Sequence, residues 1–427
     1  MTTRIVLVLA LVAALPAAAA AQPASAPAPR LGLSAYVARV LKANPDLRAA
    51  RAALAIARAQ VPIAKVFPDP QLSVGLTQLE LTHAGQPDIL GAQVNVPIEL
   101  GGKRGRRIRV AEAGVTAAGH DYEGALRDLR AAAANAFIDA LYTRRVVAQK
   151  EQALANVARL VTVNERRYAA GDIGHAAVLQ SRVEARQFAA DVLQARGERD
   201  AADVALWRLL AGAAPPPARF ELEGDLAATP PSLKKAELLA AAESRPDVRA
   251  AAARAEQARR QIDLERAKRV VDVTLGAGWL HYFPVGGPAA VKGADLAVLS
   301  VGVPLPFSKI YRGELDAARA GHDQAERQLE AARVRARAEL EQALARFDAA
   351  AKRVAAYETG ILADSLTVLD RTLYTYQRGG ATLVEVLIAQ RTASDVHLAY
   401  LDALAARARA LVALGQAAGM AEELLRL

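Results

Sequence analysis

The side chains able to hold a metal or act as nucleophiles are few and scattered. There are six histidines, at positions 83, 120, 175, 281, 322 and 397, no cysteine, and after Met1 a single methionine, Met420. No two histidines stand at H-x-H or i, i+4 spacing, so no turn of helix or strand presents a ready pair of ligands. His83 and His281 fall at the outer ends of two expected hairpins, where copies from several chains could meet. No resident metal and no cofactor are expected. The chain has no G-x-S-x-G, no H-E-x-x-H and no thiol nucleophile, so an enzyme is not expected either. One stretch, Gly101-Gly102-Lys103-Arg104, looks like a phosphate cradle. It fails the Walker pattern, because Pro97 stands where the first glycine is required and Arg104 where Ser or Thr must hold magnesium. The ordinary reading of this run is a corner with basic side chains snorkelling along a membrane edge.

With no catalytic set in view, the elements themselves carry the information. The chain has 427 residues, of which 53 % are hydrophobic but only 4 % aromatic. Alanine therefore supplies the apolar content. It buries little area per residue but is the best helix former, which favours long, closely packed helices over a thick core. Residues 1–21 read as a secretory signal, with Arg4, an apolar run from Ile5 to Leu15, and Ala19-Ala20-Ala21 before Gln22. No later stretch is apolar for long enough to form a membrane-spanning helix. The net charge is +9, yet the arginines alternate with acids along helical faces, which marks solvated surfaces rather than a nucleic-acid site.

Two halves of the chain match at three places. Asn44-Pro45-Asp46-Leu47-Arg48-Ala49 corresponds to Arg245-Pro246-Asp247-Val248-Arg249-Ala250, Val96-Pro97 to Val303-Pro304, and Tyr168-Ala169-Ala170-Gly171 to Tyr376-Gln377-Arg378-Gly379. The separation grows by six residues between the first and second match, which predicts a longer loop, and by one residue between the second and third. A repeat at this spacing organises the whole fold. We expect an extended Pro/Ala arm at 22–32, a first repeat at 33–212 with strands near 71–81 and 90–100, a proline-rich linker at 213–232 with a short strand at Phe220-Glu221-Leu222, and a second repeat at 233–427 with strands near 271–281 and 295–305.

Within each repeat the pattern is helix, hairpin, long rod, tip and returning helix. The first helix runs from Leu33 to Phe67 and breaks at Asn44-Pro45. Leu72, Val74 and Leu76, then Ala92, Val94, Val96 and Ile98, alternate with small or polar residues, so each hairpin has one apolar face. Pro97, Gly101, Gly102 and Pro304 mark the strand-to-helix corners. Gly105 to Tyr168 has no proline and gives a rod of roughly 95 Å. Ala176 to Ala211 returns from its tip. The second repeat reads the same way: Leu233 to Arg269 broken at Arg245-Pro246, an unbroken rod from Glu314 to Tyr376, and a last helix from Leu383 to about Leu425. Tyr168 and Tyr376 are expected to pack beneath their turns. Four lipid-length strands cannot close a barrel, and an open edge cannot sit in lipid, so an oligomer is required.

Assembled in this way, the chain resembles the TolC-like outer-membrane efflux proteins. The features that carry the resemblance are the signal, the two Val-x-Val-Pro corners, and the two Tyr-x-x-Gly tips, above all Tyr376 to Leu387. The Leu-Gly-Gly-Lys-Arg core of Val96 to Arg107 is most similar to the outer-membrane components of cobalt–zinc–cadmium type systems. The resemblance implies a mainly α fold with a β-barrel portion. It implies a homotrimer with a twelve-stranded barrel in outer-membrane lipid, continuous with an α-helical barrel across the periplasm. The implied partners are a periplasmic adaptor and an inner-membrane pump of the resistance-nodulation-division type, and no nucleic acid. Gly171, Asp172, Ile173, Gly174, Gly379, Gly380, Ala381 and Thr382 would form the closed end and the adaptor contact. Glu385 would line the constriction, with Asp172 as the acidic group of the first tip. The family's second acidic position is Ile388 here, and its basic lock position is Ala381, which leaves Arg378 or Arg182 to take that part. The implied function is a passive conduit for small solutes, foremost divalent heavy-metal cations. Drug or solvent efflux and type I secretion are alternatives, and a pore-free periplasmic coiled-coil scaffold is the alternative of another class.

Overall fold

The computed structural model describes residues 30–77, 88–210, 221–228, 234–284, 292–305, 307 and 313–420. The expected signal, most of the arm, His83, strand residues 78–81, the first part of the linker and the helix beyond residue 420 lie outside the described residues.

Helix α1 (Leu33–Ala43) ends at Asn44, whose Oδ1 accepts from the N–H of Asp46 at 2.9 Å and starts α2 (Pro45–Lys65). Proline at the first helical position loses nothing there. The matching residue Arg245, between α5 (Lys235–Glu243) and α6 (Pro246–Lys268), does not cap. It is buried and pairs with Asp247 and Glu339, each at 2.8 Å.

Helix α3 (Lys103–Ala169) spans 67 residues, about 100 Å. Along it lie α2 and α6 toward one end and α4 (His175–Leu209) and α9 (Leu383–Ala418) toward the other. Small side chains make this possible: Ala131, Ala133, Ala134 and Ala140 are buried in the middle of α3, beside Phe137, Ile138 and Leu141. Tyr36 of α1 fills this waist and donates its hydroxyl to the carbonyl of Leu206 at 2.7 Å.

The arm and the linker, expected as separate extended pieces, are joined. Strand β1 (Arg30–Gly32) pairs in parallel with β4 (Glu221–Glu223). Leu31 and Leu226 are buried in the waist cluster, and Gly224 runs close to Phe137 and Leu141. Pairing of two short segments so far apart in sequence comes from this tertiary packing rather than from local pattern.

A second sheet contains β2 (Gln71–Thr77), β3 (Ile89–Ile98), β5 (Val273–Tyr282) and β6 (Ala294–Gly302), antiparallel in that order. The register puts Leu72 opposite Val94, Val94 opposite Ala277, and Ala277 opposite Leu299. One face is therefore apolar and open, with Leu72 70 % and Leu299 87 % exposed. The other carries Gln93, Asn95 and Ser300, hydrogen-bonded side chain to side chain at 2.8 and 2.6 Å. Gly276 lies beneath them, because a Cβ there would collide with Gln93 and Ser300.

The strands end earlier at the corners than expected. Residues 99–100, 271–272 and 303–305 are outside the ladders. Asp272 takes over: its Oδ1 accepts from the N–H of Leu100 at 2.9 Å and from Lys103 Nζ at 2.7 Å. Gly101 and Gly102, at φ 70° and 66°, make the turn, and a side chain on Gly101 would meet Val270 at 2.9 Å.

The second rod is not continuous. Helix α7 (Gly313–Ala356) passes through a π turn (Tyr357–Ile361) into α8 (Leu362–Gln377), and Gly360 leaves helical geometry at φ 179°, ψ −49°. The tip tyrosines are one residue further apart than the corner prolines. A π turn absorbs one surplus residue while letting the helix below it resume. From α9, the Tyr400 ring lies 6.1 Å from that of Tyr357, tilted by 51°, and its hydroxyl donates to Glu358 at 2.9 Å.

Candidate functional site: the paired helical tips

Both helical hairpins turn by the same local device. At the first tip Gly171 has φ 84°, its N–H reaches the carbonyl of Tyr168 at 2.9 Å, and the N–H of Asp172 reaches that of Arg167 at 2.9 Å. At the second, Gly379 has φ 78°, with Gly379 to Tyr376 and Gly380 to Thr375 both at 3.0 Å. This is a Schellman ending, which satisfies orphan helix carbonyls and requires a left-handed residue.

The returning helices start differently. Gly174 precedes α4 with no side-chain cap. Thr382 precedes α9 in a full capping box: its Oγ1 accepts from the N–H of Glu385, and Glu385 Oε2 accepts from the N–H of Thr382 at 2.6 Å. That amide, followed by the Thr382 hydroxyl, holds the Glu385 carboxyl below the usual carboxylate range. Thr382 and Glu385 stand at capping-box spacing, a signal already present in the sequence. Ile388, one turn on, is exposed.

The tips lie side by side. Leu160 of α3, Tyr376 of α8, and Leu383, Val386 and Leu387 of α9 form one buried cluster, with Ala177 of α4 and Ala381 against it. Tyr376 is 4 % exposed, donates its hydroxyl to Asn164 Oδ1 at 2.7 Å, and has the Arg167 guanidinium 5.0 Å from its ring centre. Asn164 is fully buried and its Nδ2 has no partner. Further along, Arg391 of α9 pairs with Glu184 of α4 at 2.7 Å.

Several expectations change. Tyr376 packs beneath its turn, but Tyr168 does not: it is 47 % exposed, with the ring of His175 5.3 Å away. The reason is that Tyr376 has the first hairpin beside it, whereas Tyr168 faces outward from the chain. Neither arginine offered as a lock crosses between hairpins. Arg378 lies 4.0 Å over the ring of Tyr374 in its own helix, and Arg182 pairs with Glu165 of its own hairpin at 2.7 Å. Asp172 is exposed at its tip.

Pro97 lies within β3, opposite Thr274, and Pro304 just beyond β6. Next to the first corner, Arg107 pairs with Glu99 at 2.7 Å and Arg104 lies 4.2 Å over Phe67. His281 bonds Asp295 at 2.8 Å and stacks on Trp279. Among the described residues one group of metal-ligand side chains converges, His322, Asp323 and Glu326 on a single turn of α7. It holds one histidine and two carboxylates, so histidine spacing in the sequence does not mark it. Its two carboxylates are exposed, and it falls short of the four ligands of a structural zinc site.

The geometry agrees with the comparisons to known proteins. The family model "Outer membrane efflux protein" matches residues 36–212 and 238–420. The chain is 29 % identical over 380 residues to the cobalt-zinc-cadmium resistance protein CzcC of Cupriavidus metallidurans, covering 88 % of this chain and 86 % of that one. Among solved structures, CusC superposes with a TM-score of 0.76 at 20 % identity, covering 91 % of this chain and 92 % of that chain. The open state of the Neisseria gonorrhoeae MtrE outer membrane channel gives 0.73 at 22 % identity, covering 91 % and 89 %. The paired hairpin sheet, the long helical rods and the family match over most of the chain make this protein a member of the outer membrane efflux protein family.

Proposed function

We propose that three copies of this chain form an outer-membrane channel that passively exports divalent heavy-metal cations delivered by a periplasmic adaptor and an inner-membrane pump. The observation that carries the channel reading is the four-stranded sheet. Its apolar face is open, its opposite face is polar, and among the described residues its outer strands β2 and β6 each have one unpaired edge. Edges of that kind need partner strands in lipid. Three copies bring twelve strands, enough to enclose a water-filled lumen rather than a packed interior. The likeness to CzcC, named for cobalt, zinc and cadmium resistance, supports the metal cargo.

In this reading the tips are the closed end and the adaptor contact. The ionised Glu385 carboxylates, brought together around the axis, favour cations over anions at the narrowest point. No ligand set is needed in the channel itself, since a passive conduit must release what enters it. The test is resistance: cells lacking this gene should lose cobalt, zinc or cadmium tolerance and regain it with the wild-type chain. Unchanged tolerance to all three, with loss of tolerance to organic toxins instead, would contradict the metal cargo and leave the channel.

A further inference from the structure

The two tips have the same turn geometry but different surroundings, and the difference has a pattern. Helix α3 ends and α4 begins at the same spacing from the tip glycine as α8 ends and α9 begins. Residue-by-residue correspondence across the tips is therefore unambiguous. Leu160 corresponds to Val368, Asn164 to Thr372, Arg167 to Thr375, Tyr168 to Tyr376, Val178 to Val386 and Leu179 to Leu387.

Within the chain, Leu160, Tyr376 and Leu387 close one cluster, each less than a tenth exposed. Their counterparts stay open: Val368 is 54 %, Tyr168 47 % and Leu179 47 % exposed. Val368 and Tyr168 belong to opposite halves of the chain, and both are open to solvent. The contact between halves joins the first half's α3 to the second half's α8 and α9. A rotation that carries the first half onto the second carries that contact to one between this chain's α8 and the α3 and α4 of the next.

We infer that Tyr168 and Leu179 of one chain dock on Val368 and Thr372 of a second copy, rebuilding between chains the cluster already built within one. This rests on the trimer proposed above and names its tip seam. The occupant is a second copy because the complementary half of the cluster, an aliphatic residue, a tyrosine and a leucine at the same spacing, is present in the chain and exposed.

The seam between chains differs chemically from the seam within. Tyr168 has no amide to receive its hydroxyl: Thr372 stands in place of Asn164, and its own hydroxyl is turned to the carbonyl of Val368 at 2.7 Å. Thr375 replaces the Arg167 that lies over Tyr376. The ion pair Glu184–Arg391 becomes Thr392 and Val183. The amide, the guanidinium and the ion pair of the inner seam have no counterparts in the outer one, where a threonine hydroxyl is the remaining acceptor, which leaves a more apolar contact that is separable while the halves of each chain stay together.

The chain has no cysteine, so engineered thiols are unambiguous. Leu179→Cys with Val368→Cys should, in outer-membrane vesicles treated with a short bifunctional thiol reagent, give a covalent trimer on a denaturing gel. Either single variant should give none. A native trimer without interchain product overturns the seam and leaves the trimer standing. A parent chain that is monomeric when extracted overturns both. A second variant needs no cross-link: Thr372→Asn supplies the amide that Asn164 provides within the chain and should raise the temperature at which the trimer dissociates in detergent, a gain removed by adding Tyr168→Phe. An unchanged dissociation temperature with Thr372→Asn, or a gain that survives Tyr168→Phe, overturns the assignment.

Discussion

The hydroxyl of Tyr376 meets Asn164 Oδ1 at 2.7 Å inside a fully buried pocket, and this bond ties the second helical hairpin to the first at their shared end. Tyr168, at the same place in the other tip, has no such partner among the described residues. One hydrogen bond and one guanidinium over a ring thus set apart two helix endings whose backbone turns match.

Removing the donor should loosen the tip. Tyr376→Phe keeps the ring in its cluster but strands a buried amide that already has one unpaired nitrogen, at a cost of about 1–3 kcal/mol. We expect higher leak conductance in planar bilayers with an unchanged trimer. Asn164→Asp, which retains an acceptor, should leak less than Asn164→Ala. Equal conductance in all these variants would remove this bond from the closing mechanism.

Glu385 acts as a helix cap in the structure and as a charged ring only in the proposed trimer, and two substitutions separate the roles. Glu385→Gln removes charge while keeping an oxygen for the Thr382 amide; Glu385→Ala removes both. Cation preference should fall in both, measured as the reversal potential in a salt gradient, whereas only the alanine variant should unfold more easily at the tip. The pH dependence has a definite sign. The folded carboxyl titrates below its ordinary value, so its contribution is present above the usual carboxylate range and is lost as pH falls through the depressed folded value. Cation preference should therefore persist through pH 5 and weaken only in stronger acid.

Gly379 has open space around it, so size alone does not restrict it. Its φ of 78° does. Gly379→Val places a branched side chain in the left-handed region at a cost of about 1–2 kcal/mol, and we expect efflux to fail while the trimer assembles. Gly379→Asn, better suited to that region, should retain more activity. Full activity of the valine variant would show that the tip tolerates distortion and is not the working end.

At the opposite end, Lys103 is buried with its ammonium 2.7 Å from Asp272. Asp272→Ala leaves that charge unpaired and the Leu100 amide unserved, so a loss of about 3 kcal/mol is expected. The readout is trimer yield in outer-membrane extracts. The double change Lys103→Met with Asp272→Ala should recover part of the loss, because the stranded charge is gone.

The rods and hairpins are legible in the sequence because each repeats a simple period over many residues. Alternation at Leu72, Val74 and Leu76 suffices for β2, and an alanine-rich stretch without proline suffices for α3. The turns are legible because Gly171 and Gly379 can adopt a backbone that other residues resist. What escapes is tertiary. Nothing local announces that Arg30–Gly32 will pair with Glu221–Glu223, or that Asn164 will receive Tyr376. The π turn is intermediate: a one-residue change in repeat spacing shows that something must be absorbed, but not that Tyr357–Ile361 absorbs it. Deleting one residue within that turn should restore a continuous helix. The variant is expected to assemble and to export; loss of the trimer would show that the turn is required in its own right, through its contact with Tyr400.

A water-filled, cation-preferring channel held shut at its helical tips, as proposed above, has a direct readout in single-channel recording of the purified protein in planar bilayers. The prediction is a detergent-stable trimer with small cation-selective conductance that rises several-fold in Tyr376→Phe. A correctly assembled trimer that conducts nothing in either form, or conducts fully before any tip residue is changed, would contradict it.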